Sequence, residues 1–450
     1  MTSKLSFTLL VSSLGALFSL NPAISYSAEL MGYLPNQAKT LVLNSPDAYQ
    51  QLLVTFKEKT GTIRDVTREV QYQVEPQGIV QVSQTGFVTP LANGKATVTA
   101  QMNSMSPVVF HVEVSSFEKQ QPVNFYNDVI PVLTRAGCNS GSCHGTPAGK
   151  NNFRLSLLGF EPRNDFEFIT KESQGRRISP AAPDTSLLLL KASGGIPHNG
   201  GNRFKKNGAE YNLIKRWIQE GMHYDPENDP TVTRIEIFPV DRVLPQRSTQ
   251  QIIVTAIFSD GTTKDITRSA EYKPNQLMMA EVDEHGVVQF KDFTGTTSVM
   301  VRFQEHVAVF MATIPLGKPT PNLPKPNNFI DEHIFAKLKV LGLPPSKGAD
   351  DATFLRRATL DITGRLPTLE STQTFLSDKQ PDKRVRLIDD LLDSPGYADL
   401  FASKWAGILR NKAGGNLEQI ARETFGFHSW IRSSISTNKP FNQFVTELVT

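Results

Sequence analysis

The chain has 450 residues, of which 39% are hydrophobic and 20% charged, with 47 basic residues against 44 acidic ones and a formal net charge of +3. That length exceeds one ordinary domain and predicts about three or four. The near balance of charge, with no concentrated basic patch, excludes a nucleic-acid or membrane-surface binder.

At the N-terminus, Lys4 precedes an apolar stretch from Leu5 to Leu20, and the small residues of Pro22–Ala28 follow. This order is that of a secretory signal peptide cut between Ser25 and Ala28. The apolar run is shorter than the roughly 20 residues a bilayer span needs, which disfavours the alternative, a retained anchor. Residues 1–28 are therefore expected to direct export, and the protein is expected in the periplasm or at the cell surface. No later segment is long and apolar enough to span a membrane.

Two segments repeat at an offset of 200 residues: Gly61–Thr67 against Gly261–Thr267, and Gly86 against Gly286. Leu52–Thr55 likewise matches Ile252–Thr255, and Gly94 against Gly295 adds one residue. Short β-branched runs broken by Gly, Asp and Asn predict an all-β sandwich in each copy. Within Gly-Thr-x-x-Asp-Val/Ile-Thr, the Asp and Thr side chains are expected to bond local backbone. Both segments, 29–116 and 231–316, resemble group 2 bacterial Ig-like domains. The resemblance implies spacers, or contact with a cell-surface protein or carbohydrate.

Between the copies, residues 117–230 carry the chemistry. Apolar residues at 125, 129, 132 and 133 predict a helix over 124–136, bent at Pro131. Cys138-Asn-Ser-Gly-Ser-Cys143-His144 follows. Two thiols that reach two vinyl groups, with an imidazole directly after the second, are what covalent haem attachment requires; the usual spacer is two residues, and here it is four. The same residues admit a disulfide loop in an oxidising compartment, a zinc site lacking its fourth ligand, or a redox dithiol without the usual Cys-x-x-Cys.

Further on, Asn152–Phe160, Gly175–Ile178, Pro183–Lys191, Pro197–Phe204 and Tyr211–Gly221 run in an order that resembles the planctomycete-type cytochrome c domain family. The resemblance spans about 110 residues. It implies a small all-α fold, with the 124–136 helix crossing a final helix over 210–221, and haem c bound through Cys138 and Cys143. His144 is then the proximal iron ligand, and His198, in a loop before the last helix, the distal one. Met222 and His223 lie at the far end of that helix and are weaker candidates. Arg154, Arg176 and Arg177 are either partners for the propionates or solvated surface.

A Pro-rich linker over 317–328 leads into helical pattern from 329 to 450. Phe354–Thr368, Tyr397-Ala398 and Lys404-Trp405 resemble a domain of unknown function that accompanies planctomycete cytochromes. Arg356, Arg357 and Asp361 are expected to form ion pairs or helix caps rather than a site. The pattern reaches Thr450 without a stop signal, so this last domain is expected to be incomplete.

The expected architecture is thus mixed: two all-β Ig-like sandwiches flanking a small all-α cytochrome c-like domain, then an α-helical domain. The leading functional expectation is a c-type haem protein that passes electrons to a partner protein as a module of a larger cell-envelope assembly. The alternative is an adhesion or structural protein with a disulfide in place of haem. A third is an enzyme whose active site lies in the C-terminal domain. No hydrolase constellation, phosphate-binding Gly loop or carboxylate-rich metal site is legible.

Overall fold

The computed structural model describes residues 28–35, 38–103, 105–320, 322–412 and 417–450. The export signal expected over 1–28 falls outside them, apart from residue 28. The chain divides into a unit ending at Pro344 and a unit from Pro345 to Thr450.

In the first unit the first copy comprises β1 (Glu29–Tyr33), β2 (Thr40–Leu43), β3 (Gln50–Gln51), β4 (Leu53–Lys57), β5 (Ile63–Asp65), β6 (Gln71–Glu75), β7 (Val80–Val82), β8 (Phe87–Pro90), β9 (Gly94–Gln101) and β10 (Val108–Val114). They form sheets ordered β1-β4-β5, β2-β10-β9-β6 and β3-β8-β7. The second copy comprises β11 (Val232–Phe238), β12 (Asp241–Val243), β13 (Thr249–Gln251), β14 (Ile253–Phe258), β15 (Thr263–Asp265), β16 (Glu271–Pro274), β17 (Ala280–Val282), β18 (Val287–Phe290), β19 (Gly295–Phe303) and β20 (His306–Ile314). Its sheets, β11-β14-β15, β12-β20-β19-β16 and β13-β18-β17, repeat that order strand for strand. Equivalent positions fill both cores: Leu52 and Ile252, Val54 and Val254, Val66 and Ile266, Val88 and Val288. Each such buried side chain contributes about 1.5–3 kcal/mol.

The repeated Asp-Val/Ile-Thr motif does more than turn a hairpin. Asp65 Oδ1 accepts from the Thr67 amide (2.9 Å) and hydroxyl (2.6 Å), and Asp265 Oδ1 accepts from the Thr267 amide (2.7 Å). The second oxygen of each carboxylate crosses to the other copy. Asp265 Oδ2 accepts from the Gln51 amide at 2.6 Å, and Asp65 Oδ2 from the Gln251 amide at 2.6 Å. Tyr33 stacks on Phe238 at 3.7 Å, each ring facing its equivalent in the other copy's first strand. The two copies therefore meet through a pseudo-symmetric seam. The sequence repeat gives no sign of this, because alignment within a copy says nothing of contact between copies.

The helical region between the copies is small and all-α. Its first helix is broken: Phe125–Val129 makes a π turn, and α1 runs from Ile130 to Arg135 with Pro131 in its first turn. Proline has no N–H to continue an i→i−4 ladder, so the chain resets just ahead of it. Then come α2 (Pro162–Thr170), α3 (Leu187–Ala192) and α4 (Ala209–Gln219). Phe125 packs on Trp217 of α4 at 5.2 Å, and Tyr211, Ile214, Leu133, Ile169 and Leu189 complete a fully buried core. Lys264 bonds Asp128 (2.6 Å), and Arg216 bonds Asp47 (2.8 Å), fixing this region against both copies.

Helix α5 (Phe329–Leu341) also belongs to the first unit, where the Leu316 amide bonds the Leu341 carbonyl at 2.8 Å and Lys337 bonds Thr313. The compact unit thus ends at Pro344, past the start of the helical pattern at 329. The expected apolar face of α5 is largely outward: Ile330 and Ile334 are more than half exposed, and Leu341 is buried.

The second unit holds α6 (Asp351–Thr363), α7 (Leu369–Ser377), α8 (Lys383–Leu392), α9 (Pro395–Ile408), α10 (Leu417–Ser436) and α11 (Phe441–Val449). Asp350 and Thr368 cap α6 and α7 through the Thr353 and Ser371 amides. Its buried centre is Ala402, Ile431 and Phe444, with Trp405 and Trp430 against it. Arg356, Arg357 and Asp361 are exposed on α6, so an ion pair buried there is not formed, and they cap no helix among the described residues.

Candidate functional site

The segment after α1 folds back on itself. The Cys138 amide bonds the Leu133 carbonyl (2.8 Å), the Cys143 amide bonds Ser140, and the His144 amide returns to the Cys138 carbonyl at 2.9 Å. Asn139 is fully buried beneath, donating to Thr134 Oγ1. Gly145 makes this closure possible, since a Cβ there would lie 2.1 Å from the Asn139 carbonyl oxygen. The loop thereby gathers Cys138, Cys143 and His144 on one short turn.

His198 arrives from the loop between α3 and α4. Its ring lies 6.3 Å from that of His144, centroid to centroid, and the two planes are within 5° of parallel. His144 Nδ1 is held by the Phe153 carbonyl (2.8 Å) and His198 Nδ1 by the Gly201 carbonyl (3.0 Å). Bonding of Nδ1 to a carbonyl fixes each imidazole as the tautomer whose Nε2 carries a free lone pair. Burial, the largest influence, together with the neighbouring His198 lowers the His144 pKa against the opposing Phe153 bond, which keeps the ring neutral as a ligand must be. Gly200 allows the close fold of the loop, since a Cβ there would meet the His198 ring at 2.7 Å.

The two cysteines are free thiols, so the disulfide expected under the alternative reading is not present. Burial pushes the Cys138 thiol up to about 11, against the pull of Arg203. A thiol so protonated at neutral pH is a poor redox dithiol, because the thiolate is the reacting form. Among the described residues no group of three or more His, Cys, Asp and Glu side chains is placed to hold a metal ion.

The weaker candidates sit elsewhere. His223 Nε2 is bonded to Asp229 (2.9 Å), and Met222 packs against the helical core. Arg177 is buried and committed to the carbonyls of Phe168, Glu172 and Asn152, stacking on Phe153 at 4.5 Å. It therefore braces the residue whose carbonyl holds His144. Arg176 is exposed. Sequence reading missed Arg203, which lies 3.4 Å from Cys143 Sγ and 3.4 Å from the Ala136 carbonyl. Its only signal was proximity to His198 in the chain.

Residues 39–109 match the bacterial Ig-like domain (group 2) family. Residues 329–450 match PSCyt2, described as a protein of unknown function (DUF1549). Neither match covers the helical region between the two copies. No curated protein matches the chain. Among solved structures, domains 5–6 of the S-layer protein SbsC match at 10% identity and a TM-score of 0.26, covering 65% of this chain and 97% of that one. The crystal structure of SbsC(31-844) matches at 10% identity and a TM-score of 0.18, covering 67% of this chain and 29% of that one. Tandem Ig repeats of Dlar match at 7% identity and a TM-score of 0.15, covering 64% and 97%. This chain thus spans about three-tenths of the longer S-layer protein. No helix among the described residues is long and apolar enough to cross a membrane.

Proposed function

We propose that the chain is an exported cell-envelope protein whose Ig-like copies flank a helical haem domain, in which Cys138 and Cys143 would hold haem c and His144 and His198 would ligate its iron. The observation that carries this reading is the pair of parallel imidazoles 6.3 Å apart, both tethered at Nδ1. Imidazole nitrogens ligate metals at about 2 Å, so two rings this close could share one iron. A bound haem supplies one-electron chemistry, and the protein sets its potential through axial ligands and burial. The chain's own residues orient both imidazoles, hold His144 neutral and bring both thiols to one turn. The partner is then a redox protein. Covalent attachment is tested by production with a cytochrome maturation system and haem staining of a denaturing gel. A stained band is expected, and an unstained band from fully matured protein removes the haem.

The Ig-like and PSCyt2 matches favour a second reading, a structural or adhesive surface protein without haem. With both thiols free, that reading predicts two alkylatable cysteines and a colourless protein.

A further inference from the structure

A second concave site lies where the helical region meets the second Ig-like copy, apart from the paired histidines. It is a groove of about 740 Å³, and none of Cys138, Cys143, His144 or His198 lines it. This volume falls in the range of small-ligand sites, which favour domain junctions. Its two walls are tied by Tyr126, whose hydroxyl donates to Glu305 (2.5 Å), and by Gln304, which donates to the Tyr126 carbonyl (2.9 Å).

The rim presents an aromatic ring by means of a strained turn. Leu158 adopts a φ of 57° and Gly159 one of 78°, and Phe160 follows with 81% of its surface exposed. A non-glycine residue in the left-handed region costs of order 1 kcal/mol and persists only where the surroundings impose it. Here the Leu158 amide is held by the buried Asn139 carbonyl at 3.0 Å, and a Cβ on Gly159 would strike Ile130 at 2.4 Å. The turn is thus fixed from beneath while its ring stands in solvent.

The charges in the groove cancel. Arg154 lies over Phe168 at 4.3 Å and makes no ion pair among the described residues, and Arg302 is paired only loosely, with Glu271 at 4.0 Å. Against these two guanidinium groups stand Glu161 and Glu305. A polyanion meets the carboxylates and a polycation meets the guanidinium groups. Hydroxyl groups meet both well, since each donates and accepts. Nor does the wall offer a peptide an open strand edge, because β19, which carries Arg302, is paired on both sides by β20 and β16.

We infer that this groove binds a neutral oligosaccharide, with one sugar face on Phe160 and vicinal hydroxyls bridging Arg154 and Glu305. The site does not depend on haem. It is tested by calorimetric titration of the full chain with cellotriose, maltotriose, xylotriose and mannotriose, and with trigalacturonate and trialanine as contrasts. At least one neutral trisaccharide is expected to bind, with affinity reduced about 10-fold or more by Phe160→Ala and by Arg154→Gln, and little altered by added salt. Circular dichroism melts of both variants separate loss of the site from loss of the fold. Binding that is equal in protein made with and without haem maturation keeps this inference apart from the haem reading. It is overturned if no neutral trisaccharide binds, if Phe160→Ala binds as well as the parent, or if only trigalacturonate or trialanine binds.

Discussion

Asp65 and Asp265 at the seam, and His144 and His198 in the helical region, are both polar pairs drawn together from distant parts of the chain. At the seam every carboxylate oxygen is occupied by an amide or hydroxyl donor, and both acids are buried. At the histidines each ring has one nitrogen bonded to backbone, and no bond is recorded to either Nε2 among the described residues. Two thiols lie on the same turn as His144. A saturated buried network fixes a structure, whereas ordered groups with unspent lone pairs stand ready for a ligand. The first pair is architecture, and the second is the site we propose.

The comparison breaks most sharply under substitution at the thiols. Replacing both Cys138 and Cys143 with Ala should abolish haem staining after denaturation while leaving the far-ultraviolet circular dichroism intact. At the seam, Asp265→Ala strands the buried Gln51 amide and the Gln50 side chain, and should cost about 2–4 kcal/mol in urea unfolding. Asp65→Ala, with one cross-copy donor, should cost less. A cost below about 0.5 kcal/mol for either would show the seam to be incidental. His198→Ala should retain covalent haem but shift its ferric spectrum from low to high spin, and an unchanged spectrum would remove His198 as the distal ligand.

The smallest effect expected is a pH dependence. Burial raises the Asp265 pKa to about 6 and also raises that of Asp65. A carboxyl whose pKa is higher folded than unfolded binds protons more readily when folded, so stability rises as pH falls and is lost as pH climbs through about 6. The melting temperature should therefore be higher at pH 5 than at pH 7. Asp265→Asn should flatten that slope, leaving the parts due to Asp65 and to Asp165, which burial also raises, the latter to about 6.

Much of the fold was legible. The 200-residue offset marks two copies, and the two share one strand order. The helical spacing at 125–133 and 210–221 marks the two elements that pack through Phe125 and Trp217. Of the four candidate site residues, Cys138, Cys143 and His144 are neighbours in sequence, so their grouping is local. His198 is reached only through a resemblance, and its ring lies 6.3 Å from that of His144. The seam was illegible, because a motif that satisfies its own hairpin gives no hint that its second oxygen serves another copy. Exposure of Ile330, Ile334, Val385 and Phe425 was equally hidden, since periodicity marks a face without saying whether anything covers it.

Electron paramagnetic resonance of the matured ferric protein tests the central claim most directly. The account predicts a low-spin signal of two near-parallel imidazoles from haem that survives denaturation. A protein with no iron porphyrin signal, in which Cys138 and Cys143 both react with iodoacetamide, would contradict it.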